Sequence, residues 1–209
     1  MISFNSDNDH VKDYWWVNFG AGVYYYGEKR YDKAISQFMR VLELNPNCAQ
    51  AYTYLGQISN HQKQSGKAIE YYRRALSVDP ENITLKIQLC KSLLEKNEIK
   101  EATRLLSEVS EASPRNSEAI ILLGDAAKAR MDYVTAKSQY EKGIELDRKD
   151  ARSIKGLAEI LIIEGKYHKG LSLLNDLHES KSDDAAHVLS GNAHRCLMEF
   201  EPAVRLYQS

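Results

Sequence analysis

Pro46, Pro80 and Pro114 fall 34 residues apart. A fixed interval of that length constrains the fold more than any other property of the chain, because it requires one supersecondary unit stacked on copies of itself. The same interval aligns small residues at Ala34, Ala68, Ala102, Ala136 and Gly170, with Ala203 one residue short of the step. A second small series, Gly22, Gly56, Cys90, Gly124, Ala158 and Gly191, runs in phase with the first. Four places after each member of the first series stands a larger residue: Phe38, Tyr72, Leu106, Tyr140, Leu174 and Tyr207. A small residue facing another helix lets the backbones approach closely, and a large one beside it fills the volume left at the edges.

Between these markers the apolar residues recur at helical spacing, as in Ala34, Ile35, Phe38, Val41 and Leu42. Each unit has room for two such helices. GEKRYD, QSGK and EGKY separate the first helix from the second, and NPN, DPEN and SPRN close one unit and open the next. Proline after the second helix removes a donor and stops the helix where the chain must turn.

These residues resemble the tetratricopeptide repeat family, whose units have this period and carry Leu-Gly, Tyr, Ala, Phe or Tyr, Ala and Pro in these places. Residues 49–82 match most fully, through Tyr52, Leu55, Gly56, Ala68, Tyr72, Ala75 and Pro80. The resemblance implies an all-α fold, a right-handed superhelical solenoid of about six tandem helix-turn-helix hairpins. The expected organisation is an amino-terminal extension over 1–14 and an array over 15–209. Its repeats are 15–48, 49–82, 83–116, 117–150, 151–183 and a partial 184–209, with one residue lost near the SKSDD turn. The later repeats depart from the pattern: Arg148 and Ser182 replace the proline, Gly143 the second alanine and Gly170 the first. Tyr207 stands two residues from the last, too few for a second helix, so the chain is expected to be a fragment of a longer protein.

Composition excludes several classes of function. With 28 basic and 29 acidic residues the net charge is −1, which leaves no positive field to gather nucleic acid or an anionic membrane. MISFNSDNDHVKD has no basic flank followed by an apolar run, and the most apolar stretches, AIILLGDAA and GLAEILIIEG, are too short to span a bilayer. Three widely spaced cysteines, Cys48, Cys90 and Cys196, without a C-x-x-C, favour a reducing compartment. A cytoplasmic or nuclear protein is expected.

No catalytic, cofactor or metal site is expected either. His187 and His194 are seven residues apart, whereas helical metal ligands come three or four apart. GEKRYDK and EGKYHKG have glycine and lysine but not the order of a phosphate loop. The cysteines fall in different hairpins, and Cys90 occupies a place held elsewhere by glycine, so a small packing residue is its expected role.

The inner face of such a solenoid is lined by the first helix of each repeat. With Ala21, Gly22 and Tyr25 assigned to packing, Trp16, Phe19, Val23 and Tyr26 form a stripe on one side of the first helix. That stripe is apolar, whereas its counterpart in the second repeat, Gln50, Thr53, Gln57 and Asn60, is polar. An apolar helix face requires a cover, and aromatic residues make natural anchors. The expected partner-binding residues are Trp16, Phe19, Val23 and Tyr26, with Ile87 and Lys91 in the third repeat and Arg152 and Lys155 in the fifth. The cover is expected to be a partner helix or a second copy of the chain, giving a homodimer through the first repeat. The alternative cover is the chain's own first residues, through Ile2 and Phe4.

The resemblance implies a protein–protein interaction scaffold that binds a peptide or partner helix in its concave groove, with other proteins as partners and no enzymatic activity. Similar repeats also serve as self-associating structural subunits, as in the anaphase-promoting complex, and in a large Ran-binding nucleoporin. Others present substrates to a downstream enzyme domain, as in O-linked N-acetylglucosamine transferases. The carboxylate grip of chaperone adaptors is not expected, because Phe19, Val23, Tyr54, Thr84 and Gln88 stand where its cationic and amide side chains would be.

Overall fold

The computed structural model describes residues 14–178 and 184–199, with Pro202, Ala203 and Arg205. Among the described residues there are eleven α-helices and no strand. They are α1 (Trp15–Gly27), α2 (Tyr31–Leu44), α3 (Ala49–His61), α4 (Ser65–Val78), α5 (Ile83–Glu95), α6 (Ile99–Ala112), α7 (Ser117–Ala129), α8 (Tyr133–Leu146), α9 (Ala151–Ile163), α10 (Tyr167–His178) and α11 (Asp184–Cys196). The chain divides after Ala102 into two compact units. In the first, α1 packs on α2 and α3 on α4; in the second, α7 packs on α8 and α9 on α10. The all-α hairpin fold class that the resemblance implies is the one observed.

The first, second, fourth and fifth hairpins close on the small and large residues of the period. A Cβ on Gly22 would stand 2.7 Å from Phe38 Cε1, one on Gly56 2.6 Å from Tyr72 Cε1, and one on Gly124 2.7 Å from Tyr140 Cε1. Real Cβ atoms do not approach that closely, so each glycine is a cup for a ring sixteen residues later. In the fifth repeat the pair is Ala158 and Leu174, which share one core cluster, so a smaller ring substitute accompanies a larger cup residue.

Hairpins then stack through the second helix of one and the first helix of the next. Ala51, Leu55 and Ile58 of α3 join Ala34, Phe38 and Val41 of α2 in a single core. In the second unit Tyr140 of α8 packs with Leu157 and Ile160 of α9. The Tyr140 ring also fills the space beside Gly156, where a Cβ would stand 2.6 Å from Cε2. One ring is thus held between two glycines, Gly124 and Gly156.

Two of the departures in the later repeats, Gly143 and Gly170, are compensations. Gly143 replaces alanine because the Ser153 side chain occupies the place of its Cβ. Ser153 Oγ is buried there, without a hydrogen-bond partner among the described residues. A Cβ on Gly170 would meet Ile162 Cγ1 at 2.9 Å and the Ala158 carbonyl at 3.2 Å. The SKSDD turn, Ser182 and Tyr207 lie outside the described residues.

The backbone repeats as faithfully as the side chains. Lys29, Lys63, Asn97, Met131, Gly165 and Met198 all have positive φ, from 57° to 76°. Each follows the first helix of its repeat. Lys29 N–H donates to the Tyr26 carbonyl at 3.0 Å and Arg30 N–H to the Tyr25 carbonyl at 2.9 Å, the bonding of a Schellman ending. Helix starts are less uniform. Asn82, Asn116 and Asp150 accept from the backbone N–H groups of Leu85, Ala119 and Ser153, whereas Tyr14 and Cys48, at the same places in the first two repeats, make no side-chain cap.

Candidate functional site

The first helix has no charged side chain, and its sides meet different surroundings. Gly22 is buried under Phe38. Phe19, Val23, Tyr25 and Tyr26 lie half-buried against the core of the first two hairpins. Phe19 meets Phe38 and Tyr54 edge-on at 5.8 and 5.9 Å, and Phe38 and Tyr54 stack at 4.9 Å. Tyr26 packs against Tyr54 at 5.1 Å and Tyr31 at 6.1 Å. Burial, followed by the neighbouring Tyr31 and Tyr54 phenols, raises the Tyr26 pKa. Three of the four residues expected to await a partner are therefore largely engaged within the fold. Trp16 is the exception: it stacks on Tyr14 at 4.4 Å and remains 54% exposed.

The open face lies one helical step around from the expected stripe. It consists of Trp16, Val17, Gly20 and Tyr24, with Val17 41% and Tyr24 62% exposed and nothing within 4 Å of a Cβ on Gly20. The 34-residue register identifies it. In the second repeat the places of Val17, Gly20 and Tyr24 are held by Ala51, Tyr54 and Ile58, and in the fifth by Ser153, Gly156 and Ile160. Ala51 and Ile58 are covered by α2, and Gly156 and Ile160 by α8. The open face of α1 is thus the surface on which a preceding hairpin would stack, and among the described residues nothing covers it. The signal was present in the sequence, since these three places hold small or apolar residues in the first, second and fifth repeats alike. Subtracting only the packing within one hairpin overlooked the packing between hairpins. Ile2 and Phe4, the alternative cover, lie outside the described residues.

The remaining sequence-derived residues have other surroundings. Ile87 is only 7% exposed, so its apolar side chain is taken up by packing and offers a partner little surface. Lys91 and Lys155 are half-buried on α5 and α9. Arg152 is committed: it donates to Glu118 at 2.6 Å and to Asp125 at 3.1 Å. Burial works against its charge, but the hydrogen bonds and charges of Glu118 and Asp125 outweigh it and raise the pKa. Lys128 pairs with Glu159 at 2.7 Å, and Tyr140 Oη donates to Asp125 at 2.7 Å. These side chains satisfy one another between α7 and α9. The corresponding face of the first unit is a polar cleft, lined by Gln50, Thr53, Tyr54, Gln57, Asp79, Asn82 and Thr84.

Chemistry of other kinds finds little footing. Among the described residues no group of three or more His, Cys, Asp and Glu side chains is placed to hold a metal ion. His194 Nδ1 instead contacts Glu199 at 2.6 Å. Cys90 is buried, with its thiol 3.7 Å from the Ala102 carbonyl. No helix among the described residues is long and apolar enough to cross a membrane.

Residues 39–152 match the family profile of the cytochrome c-type biogenesis protein H TPR domain, more than half of the chain, and residues 16–48 match the tetratricopeptide repeat. The chain belongs to the tetratricopeptide repeat family. Anaphase-promoting complex subunit 7 of Mus musculus is 27% identical over 207 residues, covering 98% of this chain. Subunit 3 of the same complex from Schizosaccharomyces pombe is 28% identical over 145 residues, 69% of this chain and 22% of that protein. This chain spans only 36% of the length of the mouse relative. Among solved structures, Pseudomonas aeruginosa PilF has a TM-score of 0.75 at 21% identity, covering 95% of this chain and 89% of its own. PilW, a widely conserved type IV pilus biogenesis factor, has a TM-score of 0.80 at 16% identity, with coverage of 92% and 90%. These two show that the fold is shared. Tetratricopeptide repeat proteins generally mediate protein–protein interactions, and the uncovered face of α1 is a surface of the kind such an interaction uses.

Proposed function

We propose that this chain is a non-catalytic interaction scaffold, a structural part of a multi-protein assembly in the cytoplasm or nucleus, and that it engages its partner through the uncovered face of α1. The observation that carries this is the contrast in register: Val17 and Tyr24 are exposed where Ala51, Ile58, Ser153 and Ile160 are buried. An apolar helix face of this kind is stable in water only when something lies on it. Similarity to subunits of the anaphase-promoting complex, over 98% of the chain for subunit 7, supports a role in assembly over one in catalysis. A test is sedimentation of cell extracts containing the tagged chain or its V17E/Y24E variant. The wild type is expected in heavy fractions, and the variant is expected to lose them by tenfold or more while keeping its helical circular dichroism. Identical profiles would overturn the reading.

A second reading is favoured by the cleft along α3 and α5. Its amides and hydroxyls, from Gln50, Thr53, Gln57, Asn82 and Thr84, suit the backbone of an extended peptide. In that reading Lys91 extends the same inner-face register. Gln57→Glu with Thr84→Glu would then remove partner binding while the α1 variant left it intact.

A further inference from the structure

We propose that the groove between α2 and α4 is a second docking site, which takes a short peptide segment of another protein carrying an apolar side chain flanked by carboxylates. The site shares no residue with the open face of α1 or with the cleft along α3 and α5.

The groove holds about 450 Å³, within the usual size of a ligand pocket. Leu42, Tyr52 and Tyr71 make its half-buried floor, and Met39, 43% exposed, stands at its mouth. Three periods of 34 residues further on, Ile144, Ile154 and Leu173 hold the places of Leu42, Tyr52 and Tyr71 and line a groove of about 400 Å³ in the second unit. The period therefore leaves the same opening between neighbouring second helices, and the two differ in chemistry. The floor in the second unit is aliphatic. In the first unit it includes two phenols, whose hydroxyls have no hydrogen-bond partner among the described residues.

The rim decides the charge of the occupant. Lys67, Glu70 and Arg74 share a face of α4 with Tyr71, through spacings of three and four residues. On α2, Glu43 is answered by Arg40 at 2.9 Å. Lys67 and Arg74 have no ion-pair partner among the described residues, so two cations border the groove against one uncommitted carboxylate, Glu70. The places of Lys67 and Arg74 in the second-unit groove are held by Lys169 and Asp176, which do not make a cation pair. Lys67 and Arg74 are two turns apart, roughly 10 Å along α4, or about three residues of extended chain. A segment lying over Tyr71 thus sets an apolar side chain on the floor and turns a carboxylate toward each cation, where Arg74 can grip with both arms of its guanidinium. The phenols keep their O–H groups to donate to the segment's carbonyls. Glu70, between the cations, repels a doubly charged phosphate more than it repels single carboxylates set to either side of it.

The probe is a set of labelled heptapeptides with Leu, Met or Phe at the centre and Asp or Glu at the two positions on each side, read by fluorescence anisotropy against the full chain. Matched sets carry Ser or Lys in place of the acids. At least one acidic peptide is expected to bind tenfold or more tighter than its Ser and Lys counterparts, with a preference that shrinks in high salt. K67E/R74E changes two exposed side chains and should remove that preference while keeping the helical circular dichroism. Met39→Glu should weaken binding at least tenfold, and V17E/Y24E on α1 should leave it unchanged. No acidic preference in any peptide, or a preference that survives K67E/R74E, overturns the site. Loss of binding in V17E/Y24E assigns the peptide to the α1 face and overturns it too. If Phe4→Ser raises peptide affinity tenfold, the chain's own first residues are the occupant, and if Met39→Glu lowers the mass seen by light scattering, a second copy is. Either result overturns the partner segment.

Discussion

The first and fourth hairpins use the same closure, a glycine cup under a ring sixteen residues on, yet their inner faces are finished in opposite ways. Around α1 the finish is aromatic: Phe19, Tyr26, Tyr31, Phe38, Tyr54 and His61 touch edge-on or stacked. Around α7 it is ionic and hydrogen-bonded, with Arg152, Glu118, Asp125, Lys128, Glu159 and the Tyr140 hydroxyl answering one another. The repeat rule dictates only the residues between helices, and the face left over is free to diverge. An ionic face whose charges are mutually satisfied gains little from a partner. An uncharged aromatic helix with an open side gains a great deal.

If the ring is the common closure, removing it should be the most damaging change in either hairpin. Tyr140→Ala and Phe38→Ala are each expected to destabilise the fold by about 3–5 kcal/mol, the usual range for deleting a buried aromatic, measured by urea unfolding. Tyr140→Ala should be the worse of the two, because it also strips Asp125 of its phenol donor. Burial, and next the hydrogen bond to Asp125, raise the Tyr140 pKa, so the hydroxyl stays a donor throughout the physiological range. A loss under 1 kcal/mol for either variant would mean that the cup and ring are not what closes the hairpin.

The glycines sharpen the comparison, because Gly20 and Gly156 share a register and differ in cover. Gly156→Ala drives a methyl into the Tyr140 ring and should cost about 1–3 kcal/mol, as overpacking does. Gly20→Ala meets nothing and should stabilise by up to about 1 kcal/mol through helix propensity, measured by urea unfolding. Equal signs for the two would show that Gly20 is already covered within one copy.

How much of this could be seen in the sequence depended on which property was periodic. The cups, rings and helix-ending prolines recur as residue types, so Gly22 with Phe38 and Gly124 with Tyr140 could be found by sliding the chain along itself. The left-handed residues recur only as a conformation: Lys29, Lys63, Asn97, Met131 and Met198 share a φ but not a chemistry, and Lys and Met carry no preference for it. The open face was misplaced by one helical step for a related reason. Packing within a hairpin leaves Phe19, Val23 and Tyr26 over, and only packing between hairpins shows that Tyr54 of α3 claims Phe19 and Tyr26 while Val17 and Tyr24 stay open. Arg152 looked available because sequence shows its charge but not that Glu118, one period earlier, faces it.

The ionic face makes a smaller prediction. Arg152 is 43% exposed and its partners about a third, so solvent screens the pairs and Arg152→Met should cost no more than about 1 kcal/mol. The loss should shrink in high salt, where exposed charges are screened. Phe19→Leu, in the aromatic face, should show no such salt dependence. A salt-independent loss at Arg152 would mean that its aliphatic stem, not its charge, joins α9 to α7.

The smallest expected effect comes from the turn both regions share. Met131 follows α7 with φ 60° and its side chain is 76% exposed, so it gives up little packing if removed. Holding an L residue in the left-handed region costs roughly 1–2 kcal/mol, while glycine there loses about 0.5–1 kcal/mol more chain entropy on folding. Met131→Gly should therefore stabilise by about 0.5 kcal/mol, a small rise in melting temperature. Lys29→Gly should give a similar gain in the first unit only if its side chain does no more than Met131's. The same sign and size at both sites would show that the turn is a property of the period and indifferent to the face it borders. A loss at Lys29 would show that the aromatic hairpin, unlike the ionic one, depends on its turn side chain as well as on its rings.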